Sequence, residues 1–191
     1  MKEKSGIIFM GTPQMAADCL KRLIKDGRPV KAVFTQPDRP VGRHREITPS
    51  PVKSVAKENN IPVYTPESLK TKEVEDLFNE LSPKVAIVVA YGKIIPTNLL
   101  AIPESFINLH FSLLPLYRGA APVQRALYDG QTVTGVSIQY LAAKLDAGDI
   151  IADAPFTINP KDTTETLWER SVAIGASLLT RIAAQLLEGG L

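Results

Sequence analysis

Val85-Ala86-Ile87-Val88-Val89-Ala90, closed by Tyr91-Gly92, is the clearest strand signal in the chain. A short run that is apolar on both sides needs cover on both faces, as in a parallel sheet flanked by helices. Gly6-Ile7-Ile8-Phe9-Met10 has the same character and ends at Gly11-Thr12-Pro13. A helix is predicted from Pro13 to about Asp26, with Met15, Cys19, Leu20, Leu23 and Ile24 inward, and Val30 to Phe34 reads as the next strand. These make a βαβ unit, whose crossover is right-handed.

The remaining elements continue the alternation. Val52 to Asn59 reads as a short helix, Ile61 to Tyr64 as a short strand and Lys72 to Leu81 as an amphipathic helix. Phe106 to His110 is a strand, Ala121 to Asp129 a helix, Gly135 to Tyr140 an alternating strand and Ile150 to Ile158 a further strand. A last helix runs from Asp162 or Thr163 to about Leu187; Thr166 denies Thr163 the acidic partner of a full capping box. The sum is an α/β fold: three-layer, Rossmann-like, with a mostly parallel central sheet of about seven strands and helices on both faces. Gln36 to Pro51 breaks the pattern with Pro37, Pro40, Gly42, Pro49 and Pro51, so a long loop is expected there.

Composition sets limits. The 191 residues suit one domain, and 45% hydrophobic content with 22% charge suits a globular core. A net charge of +2 is too small for nucleic-acid binding by global charge, so any such contact is local. Cys19 is the only cysteine, which excludes an internal disulfide and favours a reducing compartment. No apolar run reaches the roughly 18 residues of a membrane span, and the Met1-Lys2-Glu3-Lys4 start is no signal peptide.

The chemistry concentrates at one strand end. Asn108 and His110 are two apart, so they share a face of the strand, at the carboxyl end where open parallel sheets bind ligands. His110 is one of only two histidines. Asp146 and Asp149 in Leu145-Asp146-Ala147-Gly148-Asp149 are alternative carboxylates to serve it. An amide, an imidazole and a carboxylate suit acyl transfer to an amine, where a proton leaves and an oxyanion is held.

Ser112-Leu113-Leu114-Pro115-Leu116-Tyr117-Arg118-Gly119-Ala120-Ala121-Pro122-Val123-Gln124-Arg125 closely resembles the signature of the methionyl-tRNA formyltransferases, within the formyltransferases that use 10-formyltetrahydrofolate. Phe9 to Pro13, Phe34 to Arg43 and Val88 to Pro96 resemble the same family in the same order, so the resemblance runs from about residue 6 to the end. It implies a catalytic triad of Asn108, His110 and Asp146. It also implies folate contacts from Ser112, Leu113, Leu114 and Pro115, and backbone contacts to the pterin from Val89, Tyr91 and Gly92. The Gln36–Pro51 loop, through Arg39, Arg43 and Arg45, is expected on tRNA acceptor-stem phosphates.

The implied reaction moves a formyl group from 10-formyltetrahydrofolate to the α-amino group of initiator methionyl-tRNA, for translation initiation, without a metal. A monomer is expected, in the cytoplasm of a bacterium or in an organelle matrix. Glycinamide ribonucleotide formyltransferases, of about this length, and 10-formyltetrahydrofolate hydrolysis are the alternatives. The glycine-rich phosphate loop of the former is replaced here by Gly11-Thr12-Pro13, and the absence of Gly-x-Gly-x-x-Gly also speaks against a nucleotide-binding module. The resembling proteins carry a further C-terminal β-barrel that helps hold tRNA. With residues 1–191 read as the catalytic domain alone, weak tRNA binding is expected. Three positions depart from the pattern: Phe111 where a small residue is usual, Leu116 where a basic one is common, and Leu141 to Lys144 in place of an acidic residue and a glycine.

Overall fold

The computed structural model describes residues 3–41 and 46–190. The elements follow in the order β1 (Ile7–Gly11), α1 (Gln14–Lys25), β2 (Val30–Phe34), β3 (Arg39–Val41), β4 (Glu46–Thr48), α2 (Pro51–Glu58), β5 (Val63–Tyr64), α3 (Lys72–Leu81), β6 (Val85–Val89), α4 (Thr97–Leu100), β7 (Ser105–His110), α5 (Pro122–Tyr128), β8 (Val133–Tyr140), β9 (Ile150–Thr157) and α6 (Thr164–Glu188). The main sheet has seven strands in the order β5-β2-β1-β6-β7-β8-β9. Its pairs are parallel as far as β7; β8 then runs against both β7 and β9. The expected three-layer, mostly parallel α/β sheet is therefore present, with one reversed strand.

Alternation along the strands sorts the core into two layers. Ile7, Phe9, Val85, Ile87, Val89, Ile107 and Leu109 meet Leu20 and Leu23 of α1 and Leu179 and Ile182 of α6. Ile8, Met10, Ala86, Val88 and Phe106 meet Val74 and Phe78 of α3 and Leu99 of α4. Cys19 lies in the first layer, where burial pushes its thiol up to about 12, so it is an inert core group.

Two expectations need correction. The Gln36–Pro51 segment is not structureless, because Arg39–Val41 and Glu46–Thr48 pair as an antiparallel ribbon. Strands of three residues on an exposed ribbon bury too little to show a hydrophobic period, and the prolines hid them. The start of α6 does carry a capping box. The Thr163 hydroxyl accepts the Thr166 N–H at 3.3 Å, and the Thr166 hydroxyl accepts the Thr163 N–H at 3.0 Å. The Thr166 hydroxyl thus stands in for a carboxylate. Arg170 adds a two-pronged bond to Asp162 at 2.7 and 2.8 Å, the main cause holding that carboxyl down to about 2.

The β8–β9 connection carries Asp146, and Gly148 sets its shape. The Tyr140 N–H donates to the Asp149 carbonyl at 2.9 Å, and a Cβ on Gly148 would overlap the Tyr140 carbonyl oxygen. Gly148→Ala must therefore displace backbone. The expected cost is about 1–3 kcal/mol, or a Tm lower by roughly 4–8 °C at the middle of that range. Thermal unfolding checks this, and a Tm unchanged within error would refute the close approach.

Candidate active site

Strand register builds a polar row. Asn108 lies opposite Gln139 and His110 opposite Ser137 on the antiparallel β7–β8 pair, and opposed residues share a face. The row continues the face that holds Phe106, one side of the sheet beyond the cover of α3 and α4. All four polar residues are buried. Ser137 anchors the loop that leaves β7: its hydroxyl donates to the Ser112 carbonyl at 2.8 Å and accepts the Leu114 N–H at 3.0 Å.

The contacts of His110 fix its tautomer. Its Nδ1 lies 2.9 Å from Ser112 Oγ, and the Ser112 hydroxyl lies 2.6 Å from the Leu116 carbonyl. A carbonyl only accepts, so the single hydroxyl proton goes to Leu116 and His110 Nδ1–H must donate to Ser112. Nε2 is then the working nitrogen. It faces the Gly119 carbonyl at 3.3 Å and Asp146 Oδ2 at 3.4 Å. A proton taken up there finds two oxygens ready to accept it.

Asp146 reaches this point from a turn in which its own φ is +46°, a left-handed conformation that Asp tolerates better than most residues. Its side chain is 8% exposed. Oδ2 also accepts the Gly119 N–H at 2.8 Å, and Oδ1 accepts Gln139 Nε2–H at 3.2 Å. Burial alone would push this carboxyl up. His110, when Nε2 carries a proton, together with the Gly119 and Gln139 N–H donors, outweighs burial and holds it below the usual carboxylate range. The geometry thus chooses between the two acidic candidates: Asp149 is exposed, and its backbone rather than its side chain is engaged. Asn108 makes no side-chain hydrogen bond among the described residues, and it lines the cavity, so its amide N–H groups are free to donate to a bound molecule.

Asn108, His110, Gln139 and Asp146 all face one cavity of about 690 Å3. One wall comes from Ala90 to Ile95 and the loop from Leu141 to Ala147; another comes from Pro13, Met15, Phe111 and Trp168. Tyr91 and Gly92 lie on the wall, whereas Val89 does not. The Tyr91 carbonyl is already taken by Thr12 Oγ1–H at 3.0 Å and Gln36 Nε2–H at 3.1 Å, which tie together the ends of β1, β2 and β6.

The loop expected to touch folate, Ser112 to Pro115, follows directly on His110. None of Ser112, Leu113, Leu114 and Pro115 lines the cavity. Ser112 is fully buried behind His110, Leu113 packs on the bare face of Gly135, and the Leu114 N–H is bound to Ser137. Ser112 thus holds the imidazole through Nδ1, while Ser137 ties the loop to β8. Phe111 packs beneath the site. Its ring meets Trp168 edge-on at 5.0 Å, and the missing side chain of Gly175 leaves room for it beside Leu109. Arg39 is exposed, with Nη2 at 3.5 Å from Gln36 Oε1; Arg43 and Arg45 lie outside the described residues. Among the described residues no cluster of His, Cys, Asp or Glu could hold a metal.

The methionyl-tRNA formyltransferase of Desulforamulus reducens is 46% identical over 174 residues, 91% of this chain and 55% of that protein. The chain thus spans little more than half the length of that relative. The solved phosphoribosylglycinamide formyltransferase of Bacillus halodurans superposes with a TM-score of 0.80 at 23% identity, covering 95% of this chain and 94% of its own. The N-formyltransferase of Helicobacter canadensis, solved with folinic acid and dTDP-3-aminofucose, superposes with a TM-score of 0.72 at 21% identity, covering 97% of this chain and 65% of its own. At those identities the two structures speak to the fold alone. The sequence pattern of the formyl transferases matches residues 4–182, and the chain belongs to that family.

Proposed function

We propose that this chain is the catalytic unit of a methionyl-tRNA formyltransferase, moving a formyl group from 10-formyltetrahydrofolate to the α-amino group of initiator methionyl-tRNA. The observation that carries the reading is the convergence of a free amide, an imidazole and its carboxylate on one cavity of small-molecule size. The 46% identical relative of that name supports the choice of acceptor.

The cavity suits the donor. Tyr91, Ile94, Ile95, Leu141 and Leu145 offer apolar surface to a flat heterocycle, and Ile94 and Leu145 are otherwise largely exposed. Met15, Phe111 and Trp168 offer apolar surface to a thioether side chain on the acceptor. Arg39, on the exposed β3–β4 ribbon, is in place for a phosphate.

The chemistry follows from the groups present. An α-amino group has a parent pKa of about 7.7–8.0, so a usable minority of it, roughly a tenth to a sixth, is neutral near pH 7. Its nitrogen attacks the formyl carbon, a C–N bond forms, and the carbonyl electron pair moves to oxygen. Asn108 donates an N–H to that oxygen. His110 Nε2 takes the proton leaving the nitrogen, directly or through a water, while Asp146 and the Gly119 carbonyl hold the imidazolium. The same proton is then delivered to the departing folate nitrogen as its bond to carbon breaks.

An acceptor panel tests the assignment, with 10-formyltetrahydrofolate as donor and initiator methionyl-tRNA, glycinamide ribonucleotide and water as acceptors. The expected order puts methionyl-tRNA first. Faster transfer to glycinamide ribonucleotide, or hydrolysis alone, would overturn it.

A further inference from the structure

We propose that Gln139 is a positioning residue that fixes the plane of the Asp146 carboxylate, so that Oδ2 is presented to His110. The inference rests on the catalytic reading above and adds to it a fourth side chain.

Without Gln139, Asp146 would be held loosely. It sits on a loop whose preceding residues, Ala142 to Leu145, are all exposed. Gly119 N–H and His110 both bind the same oxygen, Oδ2, and leave rotation about the Cβ–Cγ bond open. Gln139 binds the other oxygen, Oδ1, at 3.2 Å. A carboxylate held at both oxygens has one orientation.

Gln139 is suited to this. It is 1% exposed near the end of β8, directly opposite Asn108, so its backbone is set by the same ladder that sets Asn108. The orientation of its amide is forced: a carboxylate only accepts, so Nε2 must face Asp146 and Oε1 must turn away. Oε1 is then buried without a hydrogen-bond partner among the described residues. An orphaned buried carbonyl is destabilising, and a side chain chosen for packing alone would not carry one. It persists where holding Asp146 matters more than stability.

The other groups facing Asp146 are His110 from β7 and the neutral Gly119 N–H from the loop before α5. On its own loop Lys144 and Asp149 make no ion pair or hydrogen bond with the carboxylate among the described residues.

The test compares Gln139→Met, which keeps length and removes both polar atoms, and Gln139→Glu with the parent. In Gln139→Met the lost bond and the relieved carbonyl are of similar size, so Tm should stay within about 3 °C. Turnover should fall about tenfold with KM for both substrates within about twofold, as one fewer hydrogen bond on the carboxylate implies. A 13C titration of the Asp146 carboxyl should show a higher midpoint in Gln139→Met. A higher one still is expected in Gln139→Glu, where two carboxyls share the space. A purely structural role predicts a fall in Tm with an unmoved Asp146 midpoint, and that result would overturn the proposal. So would turnover equal to the parent's. If the parent transfers formyl to no acceptor, the functional reading fails, yet the carboxyl titration still decides whether Gln139 holds Asp146.

Discussion

His110→Ala should lower kcat for formyl transfer by about 10²–10⁴-fold, the usual contribution of a positioned acid–base group. The imidazole lies on the cavity, and its Nε2 meets a carboxylate at 3.4 Å from Asp146 Oδ2. With Nδ1–H committed to Ser112, only Nε2 can accept a proton from the reacting amine. Single-turnover rates at saturating substrate measure the effect, and added imidazole should restore part of it. A rate within threefold of the parent would remove His110 from the chemistry. The pH dependence of the pair has a definite sign. The folded-state carboxyl of Asp146 is held below its ordinary value of about 3.9. Its stabilising contribution is therefore complete above that value and is lost as pH falls through the lower, folded one. The Tm gap between the parent and Asp146→Asn should be constant near neutrality and close only in strong acid.

Asn108→Ala should lower kcat by about 10²–10³-fold, or about 2.7–4 kcal/mol of barrier, with little change in KM. A donor aimed at an oxyanion acts in the transition state, where charge on that oxygen is greatest. The stability consequence separates this role from a structural one. Asn108 is 8% exposed yet makes no side-chain hydrogen bond among the described residues, so truncating it breaks none in the free protein. Tm should move by no more than about 2–4 °C, the equivalent of roughly 1 kcal/mol. A Tm loss well beyond that with a proportionate loss of activity would mark Asn108 as a strut of the β7–β8 pair.

Much of this was legible in the residues. The apolar runs at Ile7–Gly11 and Val85–Val89 are strands because both of their faces are covered, and the period of two in Phe106–His110 put Asn108 and His110 on one face. The same period in Gly135–Tyr140 places Ser137 and Gln139 together, so both were within reach once β7 and β8 were paired. Other features depend on three-dimensional detail. In Leu145–Asp149 only the family resemblance pointed to Asp146; the residues themselves left both aspartates open, and the inward turn goes with the left-handed backbone of Asp146 and the close pass of Gly148 over Tyr140. The Ser112–Pro115 motif was read as a ligand contact from its resemblance alone; the hydrogen bonds between His110 and Ser112 and between Leu114 and Ser137 that hold it appear only once β7 and β8 are paired. The four-residue helix α4 (Thr97–Leu100) is too short to carry a period at all.

A double-mutant cycle on His110 and Asp146 examines most directly whether these residues act as one unit on a single carbon. Single-turnover formyl transfer to initiator methionyl-tRNA would be measured for H110A, D146A and the H110A/D146A pair. If Asp146 works only through the imidazole, the double variant is no slower than the slower single one. If its loss instead equals the product of the two single losses, the carboxylate and the imidazole act independently, and the shared site proposed here is wrong.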